Sequence, residues 1–445
     1  MNPESEVKRT RGVPHEGDLC SNGTMIRRTL LEKEFSRRSF LGGIASAGVT
    51  AASPMTLAFA NLSANASGLS RSAIRPAYET GSESDGLLSD ERFRVGAQFR
   101  MKRFIEKGAD PQDAKAIFSS LPNLDAQPWV DAWSRLAEPL ELRGAELETQ
   151  GQHHEASQAY QKASFYYGIA KFPVINHPAK KAAYKKCIGT YLKAAKYFDP
   201  PLERITIPFE GSQIIGYLRK PKGVSKPPVV IATGGVDVYK EERDTTDLLD
   251  VGLAAFNTDM PGNGECPLWY TPDAGRFYST IIDYLLKRDD LDGSRLGIIG
   301  RSYGGYWGGK MAYLESKRIK AAVHWGGPAH YTFQEPWLQQ LKGDKLYLWS
   351  LLDSMMYANH VNSFEELVQQ APTMSLKTEG WLDKPAAPIL AMNGAKDGWI
   401  SIQDLYILLE SGDPKAARVY PEGGHMGGDP NANNLAMTWL RGKLA

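Results

Sequence analysis

Three residues of this 445-residue sequence have the types and positions needed for nucleophilic chemistry, because each follows a short apolar run. They are Ser302 after Leu296–Ile299, Asp397 after Ile389–Met392, and His425 after Arg418–Tyr420. A histidine can take the proton of a serine hydroxyl that attacks a carbonyl, and an aspartate can fix the histidine tautomer. The chain order serine, aspartate, histidine is typical of one class of parallel-sheet hydrolases. The pattern predicts Ser302, Asp397 and His425 as a catalytic triad.

The serine lies in a G-x-S-x-G motif, Gly300–Gly304, between an apolar run and a segment with helical spacing. This context favours a sharp strand-to-helix turn that exposes the hydroxyl, although a plain glycine-rich turn stays open as the alternative. Two other glycine-containing motifs, a phosphate-binding loop and a dinucleotide-binding fingerprint, are each excluded by one residue. Met311 stands where a phosphate-binding loop needs serine or threonine, and Pro267 stands where a dinucleotide fingerprint needs its third glycine.

A tetrahedral oxyanion needs backbone N–H donors beside the nucleophile. We expect one donor at the amide of Tyr303 and the other at Gly235 or Val236, in the turn after the run Val229–Ala232. Tyr306 and Trp325 lie near the same predicted edge and are candidates for contact with an apolar or aromatic substrate.

Two further aspartates of the predicted catalytic domain have possible roles. Asp353 is the alternative to Asp397 as the triad acid. Asp259 follows another apolar run and is expected to brace a loop.

The spacing of apolar residues predicts the strands and helices that position these candidate residues. Short apolar runs alternate with helical segments after residue 227, which predicts an α/β fold with a doubly wound, mostly parallel sheet covered on both faces. A hairpin is predicted around Glu210-Gly211. Ligands of such sheets bind beyond the carboxyl ends of the strands, and the three candidate residues lie there.

The chain divides by pattern into four segments: 1–60, an export signal; 61–90, a flexible linker; 91–200, a helical cap domain; and 201–445, the catalytic domain. Residues 327–385 read as a helical, lid-like insertion in the last of these. The spacing from Gly151 to Ala163 resembles one tetratricopeptide unit, which leaves a non-catalytic binding protein as an alternative of another class.

The first 60 residues predict export. Arg37-Arg38 precede a run without charge from Leu41 to Ser70, and Ala58-Phe59-Ala60 is a candidate cleavage site. This resembles a twin-arginine signal, which implies the twin-arginine export machinery as a partner and a periplasmic or secreted location in a bacterium. Glycines and Pro54 dilute the run and disfavour a stable membrane span.

Net charge and cysteine content limit the functions and types of site that the sequence supports. The net charge of +1 gives no reason to expect nucleic acid, and three cysteines (Cys20, Cys187 and Cys266) form neither a metal-type spacing nor a disulfide framework. The sequence leaves open a homo-oligomer and the oxidation state of Cys187 and Cys266.

Four motifs, ATGGVDVYKEE from Ala232, DMPGNGE from Asp259, GRSYGG from Gly300 and HWGG from His324, resemble α/β-hydrolases of the FrsA-like group. The resemblance covers roughly residues 95–440 and implies an α/β-hydrolase fold with a helical cap, the triad above and no metal or organic cofactor. It also implies a small-molecule substrate, cleaved either at a carboxylic ester or, as the alternative, at a carbon–carbon bond beside a ketone. Glu335 is the nearest match to a substrate-facing glutamate of that group.

Overall fold

The computed structural model describes residues 86–410 and 415–445. The predicted export signal lies outside the described residues, as does the predicted linker up to residue 85. The last residues assigned to the linker form the short helix α1, Gly86–Ser89.

The segment before the sheet is helical. After α1 come α2, Glu91–Glu106; α3, Pro111–Ser120; α4, Ala126–Thr149; α5, His153–Lys171; and α6, Pro178–Ala195. Local sequence fixes where α3 begins, because the Asp110 carboxylate accepts hydrogen bonds from the amides of Gln112 and Asp113, and Pro111 takes the first helical position.

Large aromatic side chains hold these helices together. The ring of Phe104 lies 5.6 Å from that of Trp133 and 5.6 Å from that of Phe172, both at edge-to-face angles. The ring of Trp129 lies 5.6 Å from that of Trp133. These residues belong to the same continuous apolar cluster as the buried face of the sheet, so the helices and the sheet share one core.

The sheet has eight strands in the described chain: β1, Leu202–Phe209; β2, Ser212–Arg219; β3, Pro228–Thr233; β4, Ala254–Thr258; β5, Asp292–Arg301; β6, Ile319–Trp325; β7, Ile389–Gly394; and β8, Lys415–Tyr420. Their order across the sheet is β1-β2-β4-β3-β5-β6-β7-β8. The β1–β2 and β2–β4 pairs are antiparallel and all other pairs are parallel. The prediction of a mostly parallel sheet is confirmed.

The hairpin between β1 and β2 turns at Glu210 and Gly211, which both have positive φ, 47° and 76°. Strands β3, β4 and β7 are buried along their whole length, which explains their continuous apolar sequences.

Helices pack on the sheet between and after its strands: α7, Thr246–Asp250; α8, Gly275–Leu285; α9, Gly305–Leu314; α10, Glu335–Leu341; α11, Leu351–Asn359; α12, Phe364–Gln370; α13, Gln403–Leu409; and α14, Ala432–Leu444. Three of them, α10 to α12, lie in the segment 327–385. None of the helices in the described part of the chain has the length and apolar character needed to cross a membrane.

Candidate active site

The turn that carries Ser302 joins β5 to α9 through a 3-10 turn, Ser302–Gly304. Ser302 has a φ of 54°, a left-handed conformation that is uncommon for residues other than glycine. The turn closes tightly, since a Cβ on Gly300 would lie 2.1 Å from the carbonyl oxygen of Gly304, and a Cβ on Gly304 would lie 2.0 Å from that of Gly234. Both glycines of the motif are therefore sterically required.

Ser302, His425 and Asp397 form a continuous line of hydrogen bonds. The Nε2 atom of His425 lies 2.8 Å from the Ser302 Oγ, and its Nδ1 atom lies 2.7 Å from the Asp397 Oδ2. The Asp397 side chain is fully buried and the His425 side chain is 11% exposed. The three residues predicted as a triad thus lie together in the geometry that proton transfer from serine to histidine requires.

Backbone and amide donors hold Asp397 in place. Its Oδ1 accepts hydrogen bonds from the amides of Trp399 (2.8 Å) and Ile400 (3.1 Å), and its Oδ2 accepts one from the Asn393 Nδ2 (2.9 Å). Burial acts to raise the pKa of Asp397, but His425 and these donors outweigh it, and the pKa is held below its usual value. The carboxylate is therefore ionised at neutral pH.

The turn after β3 approaches the serine closely. A Cβ on Gly235 would lie 2.9 Å from the Ser302 Cβ and 3.0 Å from its Oγ, so only glycine fits there without a shift. The Asn263 Nδ2 donates to the Gly235 carbonyl oxygen at 2.8 Å and fixes this peptide. Gly235, Val236 and Tyr303, the predicted oxyanion-hole residues, all border the same cavity as Ser302.

That cavity has a volume of about 640 Å³ and lies between two sets of residues. We call the first the sheet wall, formed at the carboxyl ends of strands by Gly235, Val236, Ser302, Trp399 and His425. We call the second the helical wall, formed by α2 with the residue after it and by α5, through Arg100, Arg103, Phe104, Lys107 and Phe165. The volume suits a small organic molecule.

Direct contacts join the two walls. The Phe99 ring of α2 lies 5.8 Å from the Trp399 ring, which in turn lies 5.1 Å from the His425 ring. The Arg100 guanidinium lies 3.6 Å from the Asp237 carboxylate, directly after the turn of Gly235 and Val236. The helical wall thus lies one side-chain layer from the candidate catalytic residues.

Three residues proposed from sequence as substrate contacts do not line this cavity. Glu335 is exposed at the start of α10, where its carboxylate accepts from the Gln339 side chain. Tyr306 is fully buried and donates a hydrogen bond to Glu379 at 2.9 Å. Trp325 is also buried, and its Nε1 donates at 2.9 Å to the carbonyl oxygen of Met426, so it supports the His425 loop from behind.

Asp353, the alternative acid, is exposed on α11 and is absent from the cavity lining. Asp259 braces a loop, as expected, since it accepts from the backbone and side chain of Lys240 and from the amide of Glu265. Cys187 and Cys266 are both free thiols. No cluster of histidine, cysteine, aspartate or glutamate in residues 86–410 and 415–445 could hold a metal ion.

Sequence reasoning missed the helical wall and Asn393. Asn393 ends the apolar run before Asp397, and it binds both Asp397 and the amide of Met426, so one side chain ties the acid to the histidine loop. The signal that could have identified Asn393 is an amide side chain within an otherwise apolar strand sequence. The charged residues of α2 carry no comparable signal, because helical periodicity does not reveal which face of a helix meets the sheet edge.

A model of the family described as FrsA-like, or Esterase FrsA-like, matches residues 122–444. Esterase FrsA of Vibrio vulnificus (strain YJ016) is 29% identical over 342 residues, which is 70% of this chain and 80% of that protein. 2,6-dihydropseudooxynicotine hydrolase of Paenarthrobacter nicotinovorans is 28% identical over 274 residues, 60% of this chain and 71% of that protein.

Among solved structures, the crystal structure of the 2,6-dihydroxy-pseudo-oxynicotine hydrolase superposes with a TM-score of 0.65 at 24% identity, covering 77% of this chain and 95% of that one. At this identity the likeness concerns the fold. It confirms the α/β-hydrolase class predicted from sequence.

Proposed function

The chain belongs to the FrsA-like esterase family and is an enzyme of the α/β-hydrolase class, and we propose that it is a serine hydrolase cleaving carboxylic esters of small molecules. The observation that carries the proposal is the hydrogen-bonded line from the Ser302 Oγ through His425 to the buried Asp397 carboxylate. This line opens into a cavity with room for an organic substrate.

In the proposed first half-reaction, the Ser302 Oγ attacks the ester carbonyl carbon while the Nε2 of His425 takes the hydroxyl proton. The resulting oxyanion accepts hydrogen bonds from the Tyr303 amide and from an amide of the Gly235-Val236 turn. Collapse of this intermediate breaks the ester bond, and His425 returns the proton to the leaving alkoxide.

In the second half-reaction a water molecule attacks the acyl-enzyme. His425 takes a proton from the water, and the second tetrahedral intermediate releases the carboxylic acid and restores the Ser302 hydroxyl. Asp397 stays ionised throughout and stabilises the imidazolium that forms twice in the cycle.

Hydrolysis of a carbon–carbon bond beside a ketone is the alternative carried by the resemblance. The carbanion leaving group would need stabilisation that an alkoxide does not. Glu335, the nearest match to the substrate-facing glutamate of the family, is the candidate residue for that role. Because Glu335 is exposed and outside the cavity lining, the ester reaction is favoured.

The test is hydrolysis of a chain-length series of 4-nitrophenyl esters by the purified full chain. We expect Ser302→Ala to lower kcat by at least about 10³-fold. The matched control is Ser294→Ala, which removes an exposed hydroxyl at the opposite end of β5 and should leave turnover unchanged.

Labelling of Ser302 by a fluorophosphonate separates the remaining outcomes. Labelling without ester turnover would favour the carbon–carbon reaction. If neither turnover nor labelling occurs, the serine hydrolase proposal is wrong.

We also propose export by the twin-arginine route to the periplasm or the medium, which rests on Arg37-Arg38 and the uncharged run behind them. Replacing both arginines by lysine should retain the enzyme in the cytoplasmic fraction of a bacterial host. Equal export of the lysine variant and the native chain would contradict this route.

A further inference from the structure

The helical wall carries more positive charge than its own contacts neutralise. Arg100 and Arg103 of α2, and Lys107 directly after it, follow one another at spacings of three and four residues and all border the cavity. Such spacing places side chains on one face of a helix. Within the described residues, no ion pair involves Arg103 or Lys107, and both residues border the cavity.

Three acidic side chains close to these cations have cationic partners. Glu106, which lies on the helical wall itself, is 3.9 Å from Lys102. Asp237 lies 3.6 Å from Arg100 and accepts a hydrogen bond from the Tyr347 hydroxyl at 3.0 Å. Glu242 lies 2.6 Å from the fully buried Lys171. The negative charges nearest to the helical wall are therefore engaged elsewhere.

Arg100 adds a second, independent observation. Its side chain is 8% exposed, and its Nε is a buried donor without a hydrogen-bond partner in the described part of the chain. Buried donors are normally satisfied, so the contacts of Arg100 leave part of its hydrogen-bonding capacity unused beside the cavity. Burial, and then the neighbouring charge of Arg100, lower the pKa of Arg103, and the carboxylates of Asp237 and Glu106 act in the opposite direction without outweighing them.

These cations border the same cavity as Ser302 and His425, so a single substrate could contact both sets of residues. The Arg103 guanidinium lies 5.7 Å from the centre of the Phe99 ring, and Phe99 contacts Trp399, which contacts His425. Apolar side chains, including Phe104, complete the wall around them.

We propose that this enzyme acts on acyl compounds that carry a carboxylate, which Arg103 and Lys107 bind while the acyl carbonyl lies at Ser302. This inference rests on the proposed serine hydrolase function and names its substrate class. Arginine binds carboxylates with paired N–H donors, and lysine adds a mobile charge. The apolar side chains of the cavity would contact the chain between the two ends.

The experiment compares two fluorophosphonates of equal length, one ending in a carboxylate and the other in its methyl ester. Labelling of Ser302 in the full chain is followed by intact mass, and the ratio of the two second-order rate constants is the readout. We expect the native enzyme to favour the carboxylate probe by about tenfold, the effect of one charge-assisted hydrogen bond.

The variant Arg103→Gln/Lys107→Gln should bring this ratio close to one, and Arg103→Glu should invert it. The matched control is Arg94→Gln, since Arg94 is an exposed cation on the same helix and neither it nor its ion-pair partner Glu91 lines the cavity. That variant should keep the native ratio.

Equal labelling of the native enzyme by both probes would overturn the carboxylate inference and leave the serine hydrolase function intact. A preference for the carboxylate probe that persists in Arg103→Gln/Lys107→Gln would also overturn it, because other residues would then bind the carboxylate. Labelling by neither probe would instead contradict the proposed function itself.

Discussion

The two walls of the cavity are held in place by different forces. On the sheet wall, backbone atoms touch backbone atoms: the turns of Gly234, Gly300 and Gly304 approach so closely that no Cβ would fit. On the helical wall, side chains set the distance, as where Phe104 packs 5.6 Å from Trp133. The first arrangement fixes atoms to fractions of an ångström, whereas the second fixes the spacing of whole helices.

This difference matches what each wall would do. Proton transfer and oxyanion binding depend steeply on the distance between reacting atoms, and rigid turns supply that accuracy. Substrate selection depends on shape and charge, which side chains on a packed helix can supply. Substitutions on the sheet wall should therefore change rate, and those on the helical wall should change substrate preference or stability.

The largest expected effect is that of Asp397→Asn. The amide preserves the shape but cannot stabilise an imidazolium, and it favours the wrong histidine tautomer, so kcat should fall by about 10⁴-fold. Steady-state hydrolysis of a 4-nitrophenyl ester measures this. Asp353→Asn is the control, because it changes the exposed alternative acid. A larger loss for Asp353→Asn than for Asp397→Asn would contradict the assignment of the triad.

Gly235→Ala should have the next largest effect. The added Cβ would lie within 3.0 Å of the Ser302 side chain and would push the turn away from the oxyanion, which should cost about 10²-fold in kcat. Thermal unfolding should change little, because the turn borders the cavity.

A matched control outside both walls is Gly189→Ala in α6, where an added Cβ meets no atom within 4 Å. It should leave kcat unchanged and raise the free energy of unfolding by about 0.5–1 kcal/mol. If Gly189→Ala lowered kcat as much as Gly235→Ala, the effect on rate would not be specific to the sheet wall.

Sequence predicted the sheet wall well because its information is local. Each candidate residue directly follows an apolar run, and the carboxyl ends of parallel strands meet at one edge, so Ser302, Asp397 and His425 could be brought together without coordinates. The runs also predicted the parallel strands, which the structure extends by a few residues at their ends.

The helical wall could not be predicted in the same way. Amphipathic spacing located the helices, but the position of α2 over the cavity depends on contacts between residues far apart in the chain, such as Phe99 with Trp399. Aromatic residues near the serine were equally ambiguous. Tyr306 and Trp325 are aromatic residues of the kind that often contacts substrates. In the structure each is buried and donates a hydrogen bond within the protein.

The last prediction concerns the stability of the protein in acid and compares a histidine beneath the sheet wall with one on the helices. His324 of β6 is 1% exposed, and burial lowers its pKa to about 4 from a usual value near 6.5. Between these two values the unfolded chain binds a proton at this site that the folded chain does not, so stability falls as the pH falls. From pH 7 to pH 5 the loss from this group should be about 2 kcal/mol.

Urea unfolding of the native chain and of His324→Gln at both pH values measures this contribution, as the variant should lose less stability than the native chain on acidification. His154→Gln, which changes an exposed histidine of α5, should keep the native dependence on pH. An equal change in both variants would mean that the acid sensitivity does not arise beneath the sheet wall. A buried, neutral His324 would then be excluded, since its charging is what links this strand to pH.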